Sequence, residues 1–177
     1  VDPISSSDFT TKNYVDSKLW TYTPIVSASG TSITITSSIP SAAVEIEVLL
    51  NGVSTNTSSQ PPIIRLGDAG GIEPTGYSGV VRSNGGSSAV TDGFYIFRSA
   101  QYTNTQFITG TMKLKRWDLN LNLWMCDSLS TNPPGTNISF YSGFKTTSEV
   151  MTTISLTTPG GAATFDGGSV RVRYRML

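Results

Sequence analysis

The sequence predicts an all-β fold: an antiparallel β-sandwich of jelly-roll-like type, preceded by one short N-terminal α-helix. Three observations carry this. Apolar and polar side chains alternate in segment after segment, most clearly over residues 43–50, where Val44, Ile46 and Val48 face one way and Glu45 and Glu47 the other. Thr, Val, Ile and aromatic residues recur, and these suit a pleated, half-buried surface. Loops rich in Gly, Asn, Ser and Pro interrupt them at the roughly 8–12-residue spacing of a sandwich.

Composition narrows the class. With 177 residues the chain is long enough for one domain with its own core plus an appendage. Hydrophobic residues make up 37% and charged residues 14%, so Ser, Thr, Asn and Gly fill the remainder. Twelve basic residues balance twelve acidic ones, which leaves no general electrostatic pull toward nucleic acid or an anionic membrane. No apolar run reaches the length of a membrane span, and membrane insertion is not expected. The chain starts at Val1-Asp2-Pro3 without an initiator Met or signal-peptide pattern and is read as part of a longer protein. The single cysteine, Cys126, lies in the strand-like run LNLWMCDS and is expected to be a buried small side chain.

The elements follow in order. Ser5 to Asp8 offer N-cap chemistry, and the spacing predicts a helix over 11–19 with Val15 and Leu19 on one stripe. A helix this short is marginal alone, so its stripe needs a partner. Pro24 closes it, dividing a lead-in (1–24) from a head domain (25–177). Ten strands are expected at 32–36, 43–50, 61–66, 77–82, 93–98, 106–117, 121–127, 137–144, 150–157 and 169–176. Loops are expected at 51–60, 67–76, 83–92, 99–105, 128–136 and 158–168. No fixed-period repeat appears, which argues against a propeller or solenoid. In the last strand Val170, Val172 and Tyr174 share one face, and Arg171, Arg173 and Arg175 the other. Three arginines in a row repel unless paired. Glu45 and Glu47 are candidate partners, on an adjacent strand or an adjacent subunit. Val15, Leu19, Arg171, Arg173 and Arg175 are therefore the candidate subunit-interface residues.

Several chemistries are closed. There is no histidine, which removes Ser-His-Asp and Cys-His triads and His-based zinc sites. A lone cysteine removes Cys-rich metal sites. Gly76-Tyr77-Ser78-Gly79 falls short of a nucleophile elbow, because Val80 stands where glycine is required. Neither a catalytic residue, a cofactor nor a metal site is assigned. Two-carboxylate glycoside hydrolysis needs only Asp and Glu and stays open, with Asp68 and Glu73 flanking a glycine turn. Recognition is the better reading of the aromatic residues, since sugar sites combine flat aromatic faces with a few polar groups. The candidate ligand-binding residues are Tyr77 in the glycine-rich loop, Tyr102, Asn104 and Gln106 in or beside SAQYTNTQ, and Trp117. Alternation along 107–117 places Trp117 with Lys113 and Lys115, opposite Ile108, Met112 and Leu114.

Three stretches, LNGVSTN (50–56), IRLGDAGGIEPTGYSG (64–79) and TFDGGSVRVRY (164–174), resemble the distal, C-terminal head module of bacteriophage and prophage tail-fibre proteins. KNYVDSKL (12–19) is similar to the shaft segment that precedes such heads. Residues 83–137 match only as strands and loops. The resemblance implies a homotrimer with its helices on the axis, continuous with the rest of a tail fibre on the virion. It also implies attachment to a bacterial surface glycan or outer-membrane protein through loop tips. The alternatives are a structural cap that trimerises a fibre and a polysaccharide depolymerase.

Overall fold

The alternation resolves into fourteen strands in a computed structural model that describes residues 19–36, 39–118, 120–133 and 137–176. They are β1 (Thr21–Tyr22), β2 (Val26–Ser27), β3 (Ile33–Thr36), β4 (Ala43–Thr55), β5 (Ile63–Asp68), β6 (Gly71–Ile72) and β7 (Tyr77–Ser83). β8 (Gly86–Val90), β9 (Phe94–Tyr95), β10 (Ile108–Asp118), β11 (Leu123–Thr131), β12 (Ile138–Thr146), β13 (Thr153–Thr157) and β14 (Phe165–Met176) complete the set. The fold is all-β, and every strand pair is antiparallel. The larger sheet runs β1-β14-β4-β10-β11-β12-β7-β8, with β2 also on β14; the smaller runs β3-β13-β5-β6, with β9 also on β5. The helix expected over 11–19, and Val15 with it, lies outside the described residues. Leu19 alone is described, and it is exposed.

One core serves both sheets. Ile46, Val48, Met112, Leu114, Trp124 and Val172 of the larger sheet join Ile63, Leu66, Phe94, Ile154 and Leu156 of the smaller in a single cluster. Alternation decides this on β4 and β10, where Ile46, Val48, Met112 and Leu114 are buried. Cys126 is buried among them, and burial pushes its thiol well up.

Five expected loops are partly extended, two of them because β11 runs on to Thr131 and β14 starts at Phe165. β4 continues past Leu50 to Thr55, because Gly52 takes a positive φ (63°) and carries the chain through a bulge opposite β10 and β14. The expected loop 83–92 contains β8, joined to β7 by the two-residue connection Asn84-Gly85, a hairpin signal the composition hid. β6 forms inside 67–76. Conversely, the strand expected at 93–98 is only Phe94–Tyr95, followed by a 3-10 turn at Ser99–Gln101.

β14 answers the β4 bulge with its own. Gly168 has φ 86°, and a Cβ there would lie 2.3 Å from the Gly52 carbonyl oxygen. Backbone strain and overpacking then act together. Gly168→Ala is expected to lower stability by about 2–4 kcal/mol in urea unfolding, while alanine at exposed Gly70 changes it by under about 1 kcal/mol.

Candidate functional site

The outward face of the larger sheet is built in rows set by register. Arg173 lies opposite Glu47 and Arg175 opposite Glu45, while Lys113 sits opposite Glu47 on the other side. The resulting ion pairs are Arg173 Nε–Glu47 Oε2 at 2.7 Å, Arg175 Nε–Glu45 Oε2 at 2.7 Å and Lys113 Nζ–Glu47 Oε1 at 3.7 Å. Arg171 donates to the Thr23 carbonyl at 2.8 Å. Trp20 and Tyr22 cover these cations, with Arg173 Cζ 4.6 Å from the Trp20 ring centroid and Arg171 Cζ 4.5 Å from that of Tyr22. Of the two partner sources expected for these arginines, the adjacent strand supplies the acids. Their needs are met within one chain, so they do not demand a neighbouring subunit.

Tyr77 and Tyr102 are corrected. Each is only 2% exposed, so neither ring offers a face to a ligand. Tyr77 packs edge-on against Phe94, accepts from the Leu66 N–H at 2.8 Å and donates to the Glu73 carbonyl at 3.0 Å. Tyr102 accepts from the Thr55 N–H at 2.8 Å and packs against Phe97. A glycine-rich setting for Tyr77 and a polar loop for Tyr102 suggested exposure, but each ring anchors its segment to the core instead. Asn104 is exposed and Gln106 half-buried. Asn104 accepts from Ser58 Oγ at 3.3 Å, and its own N–H donates to that oxygen at 3.2 Å. Gln106 Oε1 accepts from the Thr103 N–H at 3.1 Å. Asn104 ties two loops together, and Gln106 braces its own.

Trp117 stands apart from the other candidates. It is 69% exposed, on the face that alternation assigned it. With Lys113, Lys115, Arg116, Met125 and Asp127 it lines an open depression of about 420 Å³. Among the described residues Lys115 and Asp127 have no ion-pair partner. A flat indole, cationic groups and a carboxylate at one shallow site can stack on a ring and bond to its hydroxyl or acidic substituents.

Asp68 and Glu73 do converge, on Ser148. Its hydroxyl lies 2.6 Å from Asp68 Oδ2 and 3.0 Å from Glu73 Oε1, and its N–H donates to Glu73 at 2.7 Å. Asp68 also accepts from the Gly70 and Glu149 N–H groups. The Ser148 hydrogen bond leads in holding the Asp68 carboxyl down at about 2. That is the opposite of what a general acid requires. The buried Lys145 ammonium pairs with Glu73 and lies 5.5 Å from the Tyr77 ring centroid. Together these groups clamp residues 68–77 onto 145–149. Among the described residues no cluster of three His, Cys, Asp or Glu side chains is placed to hold a metal ion.

A set of apolar residues not proposed as a site from the sequence also faces outward on β11, β12 and β7: Met125, Leu129, Ile138, Phe140, Phe144 and Val80. Alternation hid them, because on β12 the outward Phe140 and the inward Tyr141 are adjacent and both aromatic. No family model, curated protein or solved structure matches the chain.

Two outcomes follow. Tyr141 is buried with no hydrogen-bond partner for its hydroxyl, unlike Tyr77 and Tyr102. Tyr141→Phe is expected to be neutral or stabilising, whereas Tyr77→Phe and Tyr102→Phe each cost about 1–2 kcal/mol in chemical denaturation. Because the Asp68 pKa is lowered on folding, its contribution is present above pH about 4 and is lost as pH falls toward about 2. Ser148→Ala raises that pKa, and an acid titration followed by circular dichroism is expected to show unfolding at higher pH than in the wild type.

Proposed function

We propose that the chain is the distal head of a bacteriophage tail fibre, a jelly-roll-like β-sandwich on a short helical lead-in. In this reading it is homotrimeric and attaches the virion to a host surface glycan or outer-membrane component. The carrying observation is Trp117, exposed above a shallow depression with Lys113, Lys115 and Asp127. An adhesion head calls for such an aromatic and polar surface, and a pure cap does not. The resemblance supports the reading from another side. Its stretches fall on the end of β4, on β5 to β7 and on β14. Three weak sites on one trimer gain strength from linkage rather than from tight single contacts.

A structural cap is the second reading, favoured by the apolar residues exposed on β11 and β12. Binding of the purified protein to a glycan array and to host envelope fractions separates the two. Adhesion predicts binding that Trp117→Ala weakens about tenfold or more, with thermal stability unchanged. Wild-type protein that binds neither would favour the cap. Release of new reducing ends from host polysaccharide would indicate a depolymerase instead.

A further inference from the structure

β12 is built the wrong way round for a strand with one wet face. It turns Ser139, Tyr141 and Lys145 inward and Ile138, Phe140 and Phe144 outward. β11 repeats the pattern: Ser128 and Ser130 point into the core, where they donate to the Tyr95 and Ile96 carbonyls, while Met125 and Leu129 face out. Register makes the outward side chains neighbours. Leu129 lies opposite Phe140, Met125 opposite Phe144, and Val80 follows on β7 opposite Ser142. A contiguous apolar patch on the outward face of a strand pair is a surface that calls for a cover.

We infer that the outer face of β11, β12 and β7 is the contact surface for a second copy of this chain. Area supports this occupant. Phe140 is 55% exposed, and the other five apolar side chains are also near half. Together they leave on the order of 500 Å² of contiguous apolar surface in water, at the upper end of what a monomer tolerates. A stable interface buries about 800 Å² per partner with about 65% of its centre apolar, which is about the same apolar area. Charge supports it too. Arg82 flanks the patch on β7 and Asp127 flanks it on β11, two strand spacings across and two residues along, or about 12 Å apart. Among the described residues neither has an ion-pair partner. Opposite charges on opposite flanks make the patch self-complementary, so that Arg82 of one copy can meet Asp127 of another across it. Only the number three rests on the trimer proposed above; the face stands independently of it.

Sedimentation equilibrium of the whole chain tests the inference, with circular dichroism as the control for folding. The wild type is expected to be oligomeric at micromolar concentration. Phe140→Lys is expected to raise the dissociation constant about tenfold or more with an unchanged spectrum. Arg82→Glu and Asp127→Arg each weaken association, and the double reversal restores most of it. A trimer with this behaviour supports both the face and the count; a dimer with it supports the face and removes the count. An oligomer indifferent to all four variants overturns the face and leaves the trimer standing. A folded wild-type monomer overturns both, and array binding by that monomer would still report on adhesion.

Discussion

The larger sheet takes its geometry from the pairing of β14 with β4. This pairing joins residues as far apart in sequence as Glu47 and Arg173, so loop closure must be completed before any of its hydrogen bonds can form. Two glycines make the approach possible: Gly52 and Gly168 meet backbone to backbone where each strand bulges. From that crossing the register runs outward in both directions. It sets Arg173 on Glu47 and Arg175 on Glu45, and through β10 it decides that Lys113, Lys115 and Trp117 share a face. β1 then has a row of cations to cover, and Trp20 and Tyr22 cover it.

The outer face of the sheet is thereby divided. The half made by β14, β4 and β10 is ionic, internally paired among the described residues except at Lys115, and partly roofed by the chain's own aromatics. The half made by β11, β12 and β7 is apolar and unroofed. Trp117, Met125 and Asp127 lie on the border, where an aromatic face, charges and apolar surface meet. A recognition surface and an assembly surface would share this sheet without sharing their central residues, since Phe140 and Val80 lie two or three strands from Trp117. The clamp of Asp68, Glu73, Lys145 and Ser148 spans both sheets: Asp68 belongs to the smaller and Lys145 to the larger.

Much of this was legible in the residues. Period-two alternation located the core strands and identified which side of β4, β10 and β14 is buried, because those strands have a single apolar face. The pairing of Arg173 and Arg175 with Glu47 and Glu45 was among the options the alternation offered, whereas Arg171 turns to the Thr23 carbonyl instead of an acid. Three things were not legible. Tyr77 and Tyr102 sit in segments with loop composition, and composition does not register that a tyrosine can point inward and spend its hydroxyl on the backbone. β8 was hidden by Ser and Gly content that is ordinary for an edge hairpin. Along β12 alternation does not separate inside from outside, because Phe140 and Tyr141 are both aromatic; only the packing of Tyr141 against Gly79 and Gly143 decides which one enters.

Cys126 offers an experimental handle of a different kind. Its thiol sits on the core side of β11, in the middle of the sheet, and burial disfavours the thiolate that reacts with disulfide reagents. Modification therefore requires the sheet to part. With no second cysteine to compete, the labelling rate of native protein becomes a clock for large-scale opening, readable without any engineered probe.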